Sequence, residues 1–165
     1  MGANGKTAEE RLIELLSRQG MTFACAESCT GGMIASKTVN VPGASAVFLG
    51  GAVAYANSAK TALMGVKEET LLKHGAVSAF TAMEMAKGIR ESLGADIAVS
   101  ATGISGPGGG TQKKPVGTVY IGVSTADFEK AELFRFNDIG RDAIRNATCQ
   151  KAFEIVLEII GSSEL

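Results

Sequence analysis

MTFACAESCTGG, positions 21–32, is the stretch on which the fold turns. Its first part, 21–27, is a short apolar run bounded by Gly20 and a turn, and it reads as a buried strand. Ser28-Cys29-Thr30-Gly31-Gly32 reads as a turn into a helix that ends near Asn40, with Pro42-Gly43 beyond. Strand, tight glycine turn and helix open an α/β unit. In such sheets ligands gather beyond the carboxyl ends of strands.

On the N-terminal side, Thr7 and Glu10 match a capping box, Leu12, Ile13, Leu15 and Leu16 give a helical stripe, and Gly20 closes it. On the other side, 46–55 is apolar and β-compatible, broken by Gly50-Gly51. Helical turns are expected over 58–64 and 68–74, stopped by Gly65 and Gly75. Thr81 and Glu84 match a second capping box, with Ser78 as a competing N-cap, for a helix running to about Leu93. Next come a strand at 96–101, a glycine-rich loop at 102–115, and strands at 116–125 and 129–136 around Ala126-Asp127, hence an antiparallel hairpin. A helix over 140–160 should bury Ile144, Ala147, Ala152, Ile155, Val156 and Ile159, and 162–165 reads as a frayed tail. The alternation followed by a hairpin predicts an α/β protein, a three-layer α/β/α sandwich with a mixed sheet, in one domain over 1–165.

Sixteen basic and 17 acidic side chains give a formal charge of −1, without the basic excess of a nucleic-acid-binding surface. An anionic ligand must then be held by local groups. Glycine is the outlier at 21 residues, which points to tight backbone geometry at a site. Cys25, Cys29 and Cys149 lack the partners of a zinc site and read as reduced thiols, so neither metal nor cofactor is expected. No apolar run approaches a membrane span, and the N-terminus lacks the order of a signal peptide, so a cytoplasmic protein with no membrane partner is expected. Mean hydropathy of +0.17 leaves room for a homo-oligomer, a dimer being the simplest.

Three segments carry candidate chemistry. Ser28 follows a buried strand, and Gly31 and Gly32 let a ligand approach the N–H groups at the helix start, which favour a phosphate or an oxyanion. The stretch is not G-x-S-x-G, and Ser28 or Thr30 would serve equally as a helix cap. A serine nucleophile needs a base. The lone histidine, His74, reads as a partner of a helix C-terminus. Lys60 has the most apolar setting of any lysine near a turn, and burial would lower its pKa into a usable range. Tyr55 can hydrogen-bond a hydroxyl or an amine, and Asn57 can fix the turn or cap the next helix. The alternative is a solvated Lys60 and a packing Tyr55.

The third segment, TGISGPGGGT at 102–111, holds Gly103, Gly106 and Gly110 among its five glycines and can wrap an anion with N–H groups, or serve as a flexible connection. It is neither a P-loop nor a Rossmann fingerprint. Lys113 and Lys114 either close on a ligand or face water. Arg141 and Arg145 share a face at the start of the last helix, where cations oppose the dipole unless a phosphate binds; ion pairs with Asp138 and Asp142 are the plainer explanation.

Taken together, AESCTGG (26–32), VPGAS (41–45), YANSAK (55–60), GV (65–66), GAVS (75–78), ATGISGPGGGT (101–111), KPVGTVY (114–120) and GRDAIR (140–145) resemble, in order, the CinA carboxy-terminal domain family of nicotinamide-nucleotide amidohydrolases. The resemblance implies hydrolysis of nicotinamide mononucleotide to nicotinate mononucleotide and ammonia. It implies Ser28 and Lys60 as a catalytic pair with Tyr55 beside them. It also implies a substrate site drawing on Thr30, Gly31, Gly32, Asn57, Thr102, Gly103, Ser105, Gly106 and Gly110, with Arg141 and Arg145 as weaker matches. The family usually has alanine where this chain has Ser105, and often serine where it has Ala56. The pyrophosphatase-type domain often fused upstream in the family is not expected here.

Overall fold

The computed structural model describes residues 5–162. Local signals set most helix ends. Thr7 Oγ1 accepts from the Glu10 N–H while the Glu10 carboxylate accepts from the Thr7 N–H, and α1 (Ala8–Gln19) ends on Gly20 at φ 65°, where a side chain would be strained. The chain continues as β1 (Phe23–Glu27), α2 (Met33–Val39), β2 (Phe48–Val53), α3 (Asn57–Met64), α4 (Glu68–His74), α5 (Ala79–Leu93), β3 (Ile97–Gly103), β4 (Thr118–Ser124), β5 (Glu129–Arg135) and α6 (Arg141–Gly161).

The sheet order is β2-β1-β3-β4-β5. β1 runs parallel to β2 and β3, while β3–β4 and β4–β5 are antiparallel, so the sheet is mixed. Central β1 is buried along its whole length, which is why 21–27 shows no alternation; edge strand β2 alternates. Phe23, Cys25 and Val99 face a core shared with α1, α2 and α6. Ala24, Ala26 and Ala98 face Met64, Met85 and Ile89 of α3 and α5. The result is the expected α/β/α sandwich.

The second face is thin because its residues are small. A Cβ on Gly122 of β4 would lie 2.3 Å from the Ala82 carbonyl oxygen of α5, which also accepts from Ser100 Oγ at 2.6 Å. A Cβ on Gly88 of α5 would lie 1.7 Å from the Met64 carbonyl oxygen of α3.

Three expectations need correction. The Thr81–Glu84 capping box does not form. Ser78 caps α5 instead, and Glu84 accepts from the Lys67 N–H and Thr70 Oγ1, joining α4 to α5. In α6, Ala147 and Ile159 are only partly buried, whereas Thr148, Cys149, Phe153 and Ile160 are buried, because the helix packs on α1 as well as on the sheet. The ladder between β3 and β4 runs to Gly103, which shortens the glycine loop. Of the expected tail, 163–165 lie outside the described residues.

Candidate active site

After β1 the chain crosses to β2 on one side, then returns through α3–α5 to β3 on the other side of β1. This places a topological switch point at the carboxyl ends of β1 and β3, where α/β sheets open a crevice. Ser28 stands there, one residue past β1, with its N–H donating to the Ala101 carbonyl at 2.9 Å. The residue is 8% exposed. Its hydroxyl has no hydrogen-bond partner among the described residues, and it is not among the fully enclosed unpaired atoms. Along β1, Cys25 and Glu27 point toward α2 and α6, and Ala24 and Ala26 toward α3 and α5.

Lys60 is 1% exposed and among the largest fully buried side chains. It sits in the first turns of α3 and reaches back to the end of β2, where Nζ donates to the carbonyls of Ala54 at 3.0 Å and Tyr55 at 3.3 Å. The Ala54 N–H in turn donates to the Glu27 carbonyl at 2.8 Å, so the amine is anchored one strand over from Ser28. Burial pushes the Lys60 pKa below its ordinary value, with the neighbouring Cys29 acting weakly the other way. No carboxylate among the described residues pairs with it. Ser28 and Lys60 are not hydrogen-bonded to each other. Cys29, beside Ser28, is no rival nucleophile, since burial pushes its thiol up to about 12.

The donors expected around Ser28 are largely committed inside the fold. Gly31 N–H donates to the Ser28 carbonyl. Gly32 and Ile34 N–H groups donate to Glu27 Oε2, both at 3.0 Å, and Ala35 N–H to Oε1 at 2.9 Å. The expectation that Gly31 and Gly32 offer their N–H groups to a ligand is therefore corrected: the Glu27 carboxylate already occupies the positive end of α2. Thr102 Oγ1 donates to the Ala76 carbonyl at 2.7 Å, so it is not a free donor for an oxyanion either. Glu27 escaped the sequence reading. A carboxylate ending an apolar strand just before a helix was the available signal.

After β1 and β3 respectively, the hydroxyls of Thr30 and Ser105 are fully enclosed in the fold. The Ser105 side chain lies against the Cys29 sulfur, a hydrogen-bonding contact that pulls the thiol pKa down against the larger effect of burial.

The glycines of the loop after β3 answer to packing. A Cβ on Gly103 would meet the Thr118 carbonyl at 2.8 Å, and Cβ atoms on Gly106 and Gly110 would lie 2.7 and 2.9 Å from Val116. Lys114 neither faces water nor closes on a ligand; its Nζ donates to the Val77 and His74 carbonyls. Lys113 is exposed.

The arginines of α6 tie the strand ends together. Arg145 Nη2 donates to the Thr30 carbonyl at 2.8 Å, and Nη1 lies 3.5 Å from exposed Asp142. Arg141 donates to the Gly106 carbonyl at 2.7 Å and to Tyr55 Oη at 2.9 Å. Gly106 lies beyond β3 and Tyr55 beyond β2, so Arg141 spans the end of β1 between them. Tyr55 is 64% exposed; its carbonyl accepts from Lys60 Nζ and its ring hydroxyl accepts from Arg141. Asn57 is exposed at the first turn of α3, whose N-cap is Ala56, so Asn57 does not cap that helix. Among the described residues no group of His, Cys, Asp or Glu is placed to hold a metal ion, and no helix is long and apolar enough to cross a membrane.

The profile of the CinA C-terminal domain matches residues 5–160. A CinA-like protein of Thermotoga maritima is 50% identical over 165 residues, 99% of this chain and 40% of that protein. A CinA-like protein of Chloroherpeton thalassium is 58% identical over 118 residues, 72% of this chain and 28% of that one. The chain thus spans well under half the length of these curated relatives. Among solved structures, the competence/damage inducible protein CihA from Agrobacterium tumefaciens is similar at TM-score 0.89 and 41% identity, over 92% of each chain. A CinA superfamily protein from Klebsiella pneumoniae gives TM-score 0.90 at 30% identity, covering 94% of this chain and 96% of that one. With its α/β/α sandwich and this likeness along nearly the whole chain, the protein belongs to the CinA C-terminal domain family.

Proposed function

We propose that this domain hydrolyses the carboxamide of nicotinamide mononucleotide to nicotinate mononucleotide and ammonia, with Ser28 as nucleophile and Lys60 as base. The observation that carries the proposal is the state of Lys60. A neutral amine has two N–H donors and one lone pair. The Ala54 and Tyr55 carbonyls take both donors, which leaves the lone pair free, and burial disfavours the ammonium.

In the reaction, Lys60 removes the Ser28 proton as Oγ bonds to the carboxamide carbon. The tetrahedral intermediate then collapses. The C–N bond breaks, and the proton passes from Lys60 to the departing ammonia. Water next adds to the acyl ester while Lys60 takes its proton. The acid leaves as that proton returns to Ser28. With the Gly31 and Gly32 N–H groups and the Thr102 hydroxyl committed elsewhere, the Thr30 N–H is the donor that remains of those expected for the developing oxyanion. The remaining N–H donors of Arg141 and Arg145 suit the substrate phosphate.

The test is ammonia release from the mononucleotide by the wild-type chain and Ser28→Ala. Release by the wild type and loss in the variant are expected. Retention of most activity by Ser28→Ala would reject the covalent mechanism. A second reading also has support: two carbonyl contacts make Lys60 a pin between α3 and β2 in a domain that only binds the nucleotide. That domain would bind the mononucleotide and release no ammonia.

A further inference from the structure

The turn between α4 and α5 accepts side-chain hydrogen bonds on four successive carbonyls. Lys114 Nζ donates to the His74 carbonyl at 3.2 Å and to the Val77 carbonyl at 2.6 Å. Ser78 Oγ and Thr81 Oγ1, from the start of α5, donate to the Gly75 carbonyl, and Thr102 Oγ1 donates to the Ala76 carbonyl. Carbonyls at a helix end have no partner inside the helix, so these side chains supply what the turn lacks. The His74 ring, stacked on Phe80 at 4.2 Å between centroids, braces the same turn. Two of the donors come from elsewhere in the chain. Thr102 stands near the end of β3, and Lys114 at the far end of the glycine loop, where its backbone closes a turn with Thr111. The loop is therefore fastened to one turn at both its ends. Between the two fastenings lies Gly106, whose carbonyl accepts from Arg141 Nη1 at 2.7 Å.

We infer that Lys114 is a positioning residue that sets the preference for a phosphorylated substrate. This rests on the reading of the site as an amidase for a nicotinamide nucleotide and deepens it. Lys114 holds the far end of the loop, the loop fixes the Gly106 carbonyl, and that carbonyl orients the guanidinium proposed for the phosphate. Lys114 acts without touching the substrate. A guanidinium that is already aimed loses little freedom when a phosphate binds, and one left to swing loses more. Loosening the loop therefore weakens binding of the phosphorylated substrate and leaves the chemistry at Ser28 and Lys60 alone. Neighbouring Lys113 is exposed and carries the same charge, which makes it the control for charge by itself.

The experiment compares wild type, Lys114→Met, Lys114→Arg and Lys113→Met on nicotinamide mononucleotide and on its riboside, reading kcat and KM from ammonia release and Tm from thermal unfolding. Lys114→Met keeps the stem and removes the donors. It is expected to raise KM for the mononucleotide about five- to twentyfold, with KM for the riboside and both kcat values within about twofold of the wild type. Lys114→Arg, whose fork of N–H groups can serve both carbonyls, should recover most of the loss, and Lys113→Met should match the wild type. An unchanged KM for the mononucleotide in Lys114→Met, beside an active wild type, overturns the role of Lys114 and leaves the amidase reading standing. Equal losses on both substrates, with or without a fall in Tm, make Lys114 a matter of stability alone and overturn the role too. A loss in Lys113→Met equal to that in Lys114→Met assigns the effect to charge and likewise overturns it. If the wild type binds nicotinate mononucleotide in calorimetry but releases no ammonia, the amidase reading fails. A smaller preference of Lys114→Met for that nucleotide over nicotinate riboside then keeps the positioning role, and an unchanged preference overturns it. A wild type that neither binds nor reacts overturns both.

Discussion

A buried primary amine settles into the form whose hydrogen bonds its surroundings can satisfy. At Lys60 two carbonyls meet the two donors of the neutral form, and no carboxylate among the described residues pairs with the ammonium. A base must be unprotonated to work, so kcat/KM should rise with pH through a pKa depressed below that of an ordinary lysine, then level off. A profile flat through the neutral and alkaline range would move the base elsewhere. Lys60→Met should lower kcat at least about 10²-fold, and near-normal turnover would contradict the role. The thiols give a second pH dependence. Burial raises Cys29 and Cys149 to about 12 from an unfolded value of 9.0. Their contribution to stability is complete below pH 9 and is lost as pH rises toward 12, at about 1.4 kcal/mol per pH unit per thiol. Urea unfolding between pH 8 and 10 should show that decline, with a shallower slope in Cys149→Ala; equal slopes would contradict it. The place of Ser28 at a strand end and the burial of Lys60 were legible in the sequence because each stands beside a turn after an apolar run. Glu27 was not, since accepting from three N–H groups further along the chain is a relation of space, not of spacing.

At the scale of elements, the turn after β1 is held by Glu27 below and Arg145 above. Glu27→Gln keeps the shape but turns an N–H toward donors that need an acceptor, and it should cost about 2 kcal/mol in urea unfolding. An unchanged midpoint would contradict the cap. The contact of α3 with α5 depends on Gly88, and Gly88→Ala should destabilise by about 3 kcal/mol or more, since backbone must move to admit the methyl. Helix ends were readable wherever a local motif decided them, as at Thr7 and Gly20. At α5 two motifs competed. Ser78 won because its hydroxyl also reaches the Gly75 carbonyl, while Glu84 was drawn to α4.

For the molecule as a whole, strand order makes the site. With β1 flanked by β2 and β3, the segments that follow the three strands lie side by side, and α6 returns at the end of the chain to link them through Arg141 and Arg145. The α/β/α class could be inferred from the alternation of patterns. The order of strands could not, because 46–55 and 96–101 both read as apolar, β-compatible runs, and nothing in either sets the side of β1 that it takes. The pairing of the Tyr55 hydroxyl with Arg141 was likewise not visible in the sequence. Tyr55→Phe should therefore change KM while kcat stays within about threefold, and a hundredfold fall in kcat would restore the ring to the chemistry. The most direct test of the central claim is the titration of Lys60 itself, followed by NMR of labelled lysine side chains and assigned by the signal missing in Lys60→Met. The account predicts that this one resonance loses its proton at distinctly lower pH than the exposed lysines; titration together with them, or above them, would contradict it.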